Sequence, residues 1–307
     1  MRAYVPEYDL ETPKTLDDVL RLLAREPGVW KPIAGGTDLM VLFEAGQLRH
    51  RNLLSLSRIP ELGGITASET HVTLGALTTY TEIQRSELMR REFPLLVKAA
   101  SWTGAVATQN RGTLAGNIAN GSPAADSPPA LLVYDADIVL LSERDPRWLR
   151  YSHFHTGYKT NLMEQDEIIS HISLPRTTAG CVQYLRKVGT RKAQAISKVA
   201  LAGLAMIHTG TLERIRIALG SVAPMPIRCH RTEAVLTGRV LDQAAIDEAK
   251  SAIASEISPI DDIRSTAEYR KRVTVNLLDE FLTSMITEFK STGRSRSRFG
   301  NEAEPRP

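Results

Sequence analysis

PIAGGTDLMV, residues 32–41, sets two adjacent glycines, a threonine and an aspartate between a short apolar run and a segment of helical period. Trp30 to Ile33 reads as a short buried strand, Gly35 and Gly36 as a turn, and Leu39 to Ala45 as a helix that stops at Gly46. Small side chains at such a turn let backbone N–H groups converge on an anion, and a helix that starts there adds the positive end of its dipole. The same residues would serve a plain tight turn, because glycine is the default wherever φ must be positive. Neither G-x-x-x-x-G-K-[ST] nor G-x-G-x-x-G follows the strand, which argues against nucleotide hydrolysis and a Rossmann site.

Upstream of the turn, Leu16, Val19, Leu20 and Leu23 share a helical face between Thr15 and Arg25, with Thr15 and Asp18 as a capping box and Pro27-Gly28 as the stop. LLSLS at 53–57 is another extended run, so the first fifty-odd residues form a small α/β unit. Val72 to Leu74 then reads as a strand, and Thr81–Glu87 and Phe93–Trp102 as helices. ATQNRGTLAGNIANGSPAAD, residues 107–126, reads as a second glycine-rich loop, unusually long for an idle connector. Ile138 to Leu141 and the alternation of Ile168, Ser170, Ile172 and Leu174 read as strands.

The polar, turn-prone segment Pro175 to Gly180 places a domain boundary near 176–180. Extended runs at 181–188, 197–208 and 214–219 follow, joined in part by a His208-Thr209-Gly210-Thr211 turn, as in an antiparallel meander. Ile246, Ala249, Ile253 and Ile257 keep a helical period, and Ser265 with Glu268 caps a last helix bearing Tyr269, Val273, Leu277 and Phe281 on one face. GRSRSRFGNEAEPRP has little apolar area to bury, and 289–307 is expected to be a disordered tail.

Composition narrows the function. The 307 residues are 42% hydrophobic and 24% charged, enough for two domains with a sizeable core, and the net charge is only +3, so neither a nucleic-acid nor a membrane surface is implied. VALAGLAMI at 199–207 is too short to span a bilayer, and MRAYVPEYDL lacks the apolar segment of a signal peptide, so a cytoplasmic protein is expected. Cys181 and Cys229 stand alone and His153, His155 and His171 form no ligand pattern, so an iron–sulfur cluster would belong to another chain. No catalytic triad or carboxylate pair stands out, which leaves hard chemistry to a cofactor.

Three ordered motifs, AGGTDL (34–39), TLAGNIANGSPAAD (113–126) and YLRKVGTRKAQAIS (184–197), resemble the FAD-binding subunit of molybdenum hydroxylases, the medium-subunit family of xanthine dehydrogenase and carbon monoxide dehydrogenase. FHTGYKTNLMEQDEIISHISLP (154–175) and ALGSVAPMPIR (218–228) extend the likeness over residues 1–286. The resemblance implies an α+β fold: a two-part FAD-binding domain of the vanillyl-alcohol-oxidase type over 1–177, divided into 1–57 and 58–177. A C-terminal α/β domain with an antiparallel sheet and helices follows over 178–288.

It further implies that Lys31, Pro32, Ile33, Ala34, Gly35, Gly36, Thr37, Asp38 and Leu39 wrap the FAD pyrophosphate, with the amides of Gly35, Gly36 and Thr37 as donors. Thr113 would give its hydroxyl to a phosphate oxygen, Gly116 would allow close backbone approach, and Asn117 would bond the cofactor's polar atoms. Asp126 would accept from a sugar or ribityl hydroxyl, Ile169 would be an apolar contact, and Lys187 a cation near the electron-rich end of the flavin. Plainer roles stand beside these: Asp126 as a helix cap before Ser-Pro-Pro, Lys187 as a solvated cation, Tyr184 as sheet packing. One departure is Ala115, where many members carry glycine; its methyl is tolerable if φ is negative.

By the same resemblance the chain relays electrons inside a heteromeric complex. Partner subunits carry the 2Fe–2S clusters and the molybdenum cofactor, and NAD or another acceptor takes the electrons, with xanthine-type purines the first expectation for the substrate. A stand-alone flavin oxidase or reductase would need its own base over the flavin, for which no residue stands out and only Tyr158 and His155 stay open, and a non-catalytic nucleotide-binding scaffold is the third reading.

Overall fold

The computed structural model describes residues 7–191 and 194–292, with side chains to 286. It begins with β1 (Asp9–Glu11), α1 (Leu16–Arg25), β2 (Trp30–Ile33), α2 (Leu39–Glu44) and β3 (Asn52–Ser55). Each helix is a crossover between parallel strands, and the sheet order is β1-β3-β2. Thr15 caps α1 by accepting the Asp18 amide at 3.2 Å, and the helix buries Val19 and Leu23. Pro32 cannot donate to a ladder, and it sits on an edge strand where no second neighbour needs its N–H.

The second sheet follows from β4 (Ile65–Ala67) and β5 (His71–Gly75) through a helical excursion. That excursion comprises α3 (Tyr80–Arg85), α4 (Glu87–Glu92), α5 (Pro94–Trp102), α6 (Val106–Arg111), α7 (Leu114–Asn120) and α8 (Pro128–Val133). The chain returns along β6 (Asp137–Leu141) and β7 (Arg147–Arg150), turns through α9 (Tyr151–Phe154), β8 (His155–Gly157) and β9 (Thr160–Asn161), and ends on β10 (Ile168–Pro175). The order is β4-β5-β10-β6-β7, antiparallel throughout.

The helix read over Thr81–Glu87 breaks at Ser86, whose hydroxyl accepts the Met89 amide and restarts the chain as α4. Residues 107–126 are not one loop but two short helices and a turn. Gly112 and Gly121 end α6 and α7, while Gly116 lies inside α7.

The third sheet comprises β11 (Val182–Val188), β12 (Val199–His208), β13 (Thr211–Gly220) and β14 (Ile227–Arg228), with α10 (His230–Leu236), α11 (Gln243–Glu256) and α12 (Ala267–Thr292) against it. Thr209 and Gly210, with φ of 49° and 84°, form the two-residue hairpin between β12 and β13, the positive pair that matches strand twist. Thr266, not Ser265, caps α12: its hydroxyl accepts the Tyr269 amide, while Ser265 bridges to Asp262. Helix α12 continues through 289–292, and the rest of the expected tail, 293–307, lies outside the described residues.

Both faces of this sheet are covered, which accounts for the unbroken apolar run of β12. Leu185, Ala202, Leu204 and Ala218 join the core of the second sheet, and Val199, Leu201, Ala205 and Ile217 pack with Phe281, Leu282 and Met285 of α12. Gly203 takes its place in the strand because Phe281 lies flat over it: a β-carbon there would overlap the ring. Tyr184 stacks on the same ring, centroids 5.1 Å apart, and so packs the sheet. Gly203→Ala should therefore destabilise the fold by about 1–3 kcal/mol through overpacking. A chemical denaturation midpoint that drops at unchanged slope is the expected result.

Candidate functional site

The sharp turn after β2 brings Gly35 against the end of α6. A β-carbon on Gly35 would overlap the Arg111 carbonyl oxygen and stand 3.1 Å from the Gly112 Cα, and the Arg111 Nε donates back to the Gly35 carbonyl at 3.4 Å. Gly112 is also closely held, with the Thr108 carbonyl oxygen 2.9 Å and the Tyr80 ring 3.1 Å from its own missing β-carbon. The two side-chain-poor segments, more than seventy residues apart in sequence, thus touch through main chain. Gly36 follows at φ 73°, a backbone suited to glycine.

Together they border a cleft of about 880 Å³, within the range of small-molecule and cofactor sites. Lys31, Pro32, Ala34, Gly35, Gly36, Thr37, Asp38 and Leu39 line it from the first sheet, and Thr113, Gly116, Asn117, Asp126 and Ile169 from the second. Ile33 does not line it; its side chain lies beneath Gly36, 3.5 Å from where a β-carbon would be. Lys187 does not line it either, because its ammonium is drawn to Asp126. Gln194, Ile196 and Arg264 close the cleft from the third sheet's side.

The donors of the turn are available. Among the described residues, none of the amides of Gly35, Gly36, Thr37 and Asp38 donates a hydrogen bond, whereas the carbonyls of Gly36 and Asp38 are engaged by Met40 and Leu42. Lys31 has no acidic partner among the described residues, and burial lowers its pKa from the usual lysine value. Burial raises the pKa of Asp38, partly offset by Lys159. His50 borders the cleft too, and burial, then the Lys31 charge, disfavour its cation.

On the facing wall Thr113 caps α7 by accepting the Gly116 amide at 3.1 Å, which leaves its hydroxyl proton free to be given elsewhere. A β-carbon on Gly116 would crowd that hydroxyl at 2.8 Å. Ala115 lies buried in the first turn of α7 and is not among the positive-φ residues, so the departure from glycine is accommodated. Among the described residues the buried Asn117 Oδ1 has no hydrogen-bond partner. Asp126 does not cap α8, whose N-cap is Ser127; it accepts from Lys187 Nζ at 2.8 Å and Ser197 Oγ at 2.9 Å. Burial raises its pKa, with Lys187 the main opposing influence.

Tyr80 was not anticipated. It borders the cleft with its hydroxyl buried and, among the described residues, without a well-formed hydrogen bond, and burial pushes its pKa upward. In the sequence it is one more residue of an amphipathic helix. Arg264 likewise carries no motif; only the Asp262–Ser265 turn brings it to the rim.

Free amides in a glycine turn, a second glycine-bearing wall and a polar far end suit a dinucleotide. Residues 6–177 match the FAD-binding domain of molybdopterin dehydrogenases, and 184–285 match the C-terminal domain of carbon monoxide dehydrogenase flavoproteins. The chain belongs to this flavoprotein family. It is 30% identical to the xanthine dehydrogenase FAD-binding subunit of Escherichia coli O157:H7, over 89% of this chain and 93% of the relative. To the carbon monoxide dehydrogenase medium chain of Hydrogenophaga pseudoflava it is 27% identical, over 91% and 97%. A solved carbon monoxide dehydrogenase structure from that organism superposes with a TM-score of 0.86 at 28% identity, covering 90% of this chain and 96% of that one.

The family's cofactor is FAD, and the residues present fit it: main-chain donors for the diphosphate, a glycine cradle that a β-carbon would fill, and Asp126 for a hydroxyl. Gly35→Ala should pry the two walls apart and weaken FAD binding by about 10- to 100-fold. Flavin absorbance per protein after purification, with circular dichroism as the folding control, checks it. Lys31, its pKa lowered by burial, would set a pH dependence of FAD binding. Its cation is the form an anion binds, and burial makes it give up the proton at lower pH than an ordinary lysine. Affinity for FAD should therefore decline as pH rises through that lowered range, and Lys31→Met should flatten the profile in fluorescence titrations of the apoprotein.

Proposed function

We propose that this chain is the electron-transfer subunit of a heteromeric molybdenum hydroxylase of the xanthine dehydrogenase type. An iron–sulfur subunit would deliver electrons to it, a molybdenum-cofactor subunit would hold the oxidised substrate, and NAD or another acceptor would take the electrons away. Residues 1–177 would form the FAD-binding domain and 178–288 the C-terminal domain. The observation that carries the reading is the contact of Gly35 with Arg111 and Gly112, which makes one cleft of two segments that have little in common except small side chains.

Bound FAD supplies an exchange between one-electron and two-electron chemistry. The chain's part is to bind and orient. The amides of Gly35, Gly36 and Thr37 and the Lys31 cation would neutralise the diphosphate, and Thr113 would donate its remaining proton to a phosphate oxygen. Asn117 and Asp126 would fix the polar chain between diphosphate and flavin, and Ile169, buried on β10, would supply an apolar wall. No helix among the described residues is long and apolar enough to cross a membrane. A cytoplasmic location is part of the same proposal.

Purification of the native complex tests the assembly: FAD, iron and molybdenum should co-elute with this chain and two further polypeptides. Anaerobic addition of NADH should then bleach the flavin, while xanthine should do so only through the complete complex. Flavin that stays oxidised with NADH would refute the NAD assignment, and a chain that purifies alone would refute the relay.

A further inference from the structure

The first sheet meets the rest of the molecule unequally at the two ends of β2. At the C-terminal end Gly35 is pressed against the Arg111 carbonyl and the Gly112 Cα, and the Arg111 Nε donates to the Gly35 carbonyl at 3.4 Å. The covalent exit lies at this end too: the Leu56 amide donates to the Ile33 carbonyl at 2.9 Å before the chain runs on to the second sheet. At the other end, roughly 20 Å away along an extended chain, Gly28 meets the tip of a side chain. A β-carbon on it would stand 2.9 Å from the Gln165 Oε1 and 3.1 Å from the Cδ. Gly28 and Gln165 both border the cleft. Each of the turns that carry them is braced within its own half. The Trp30 Nε1 donates to Glu26 at 2.8 Å beside Gly28, while Glu167 accepts the Glu164 amide at 2.8 Å and Arg144 pairs with Glu164 and Asp166 beside Gln165. Between the halves lie apolar contacts, with Val19, Leu23 and Leu54 in the core of the second sheet, and the field of Lys159, which favours the Asp38 carboxylate.

From this asymmetry we infer that residues 7–55 act as a lid, which pivots where Gly35 meets Arg111 and opens between Gly28 and Gln165 to let FAD in and out. The inference rests on the FAD reading of the cleft. A ligand held between two walls has most of its surface covered, so the walls must part before it can leave. They part where the contact gives most easily. Backbone packed on backbone at Gly35 has no slack, and the chain exit tethers the same end. The Gln165 side chain can swing away from Gly28 by rotating about its own bonds, and the apolar contacts between the halves are non-directional and can slide. The amides proposed for the diphosphate sit at the pivot, so opening leaves that site assembled.

Bridging the two turns tests this. In a Cys181→Ser background, Gly28→Cys and Gln165→Cys are joined by a short bifunctional thiol reagent on the FAD-loaded full-length protein, and flavin release is followed as its passage through an ultrafiltration membrane. The bridge should slow release by at least about tenfold, because opening then limits exchange. Each single-cysteine variant treated with the same reagent should release FAD at its untreated rate. A bridge formed after the flavin has been removed should slow uptake to a similar degree. Gly28 stands at φ 76°, so if its cysteine variant does not fold, Val29→Cys on the same exposed turn takes its place.

Release at the unbridged rate from protein whose cross-link is complete by mass spectrometry would overturn the lid, and so would equal slowing in the single-cysteine variants. Either result leaves the FAD reading intact. Wild-type protein that takes up no FAD would overturn both.

Discussion

The structure turns on a missing side chain. Gly35 lies so close to the Arg111 carbonyl that no β-carbon fits between them, and this contact fastens the three-stranded parallel sheet to the helical excursion of the second sheet. The fastening continues downward. Gly112 accepts the Tyr80 ring against its backbone, Tyr80 donates its own amide to the Gly112 carbonyl at 3.2 Å, and Thr79 bridges to Thr113. Main chain therefore meets main chain at the turn for which the diphosphate is proposed. Aligned N–H groups there would share its charge with the Lys31 cation.

The third sheet is the second constraint. Its β12 strand is buried on both faces, so the C-terminal helices and the FAD-side core are held by one continuous layer. An ion cluster reinforces the join: Asp135, at φ 52°, pairs with Arg216 and Arg228, Glu233 holds Arg228, and Arg216 donates to the Val133 carbonyl. Such a cluster contributes little net stability when set against apolar packing, but removing Asp135 would leave the largely buried Arg216 without its carboxylate. It fixes orientation, and orientation is what lets Lys187 and Ser197 reach across to Asp126.

Much of this was legible in the sequence, for physical reasons that differ by element. The turn at Gly35-Gly36, the strands at 72–74 and 168–174 and the 181–219 meander have strong local signals: glycine at a sharp reversal, alternation, a Thr-Gly hairpin. The segment 107–126 was misread as a loop because Thr113, an N-cap for α7, and Gly112, an end for α6, look like loop residues when taken without their partners. Ser265 and Glu268 make a good capping pattern, yet a bridge to Asp262 claims Ser265 and Thr266 caps α12 instead. The expectation that Lys187 lies beside the flavin rests on the resemblance of the motif around it, and its pair with Asp126 is a separate fact. That its ammonium turns to Asp126 depends on a partner 61 residues away, which no local pattern could reveal.

The same geometry bears on whether the chain could do chemistry of its own. Tyr158 and His155 were the candidates for a base, and neither lines the cleft. Tyr158 is exposed at the β8–β9 hairpin, while His155 is buried against Tyr151, 3.2 Å from its hydroxyl. Of the titratable groups that do line it, Glu167 is paired with Arg147 and Asp126 with Lys187, Tyr80 is pushed further toward its protonated form by burial, and His50 lies within the field of Lys31. A general base needs a lone pair poised near neutral pH and aimed at the reacting atom. Here Glu167 and Asp126 have lone pairs committed to fixing the walls, whereas Asp38, its pKa pushed up by burial, stands at the glycine turn.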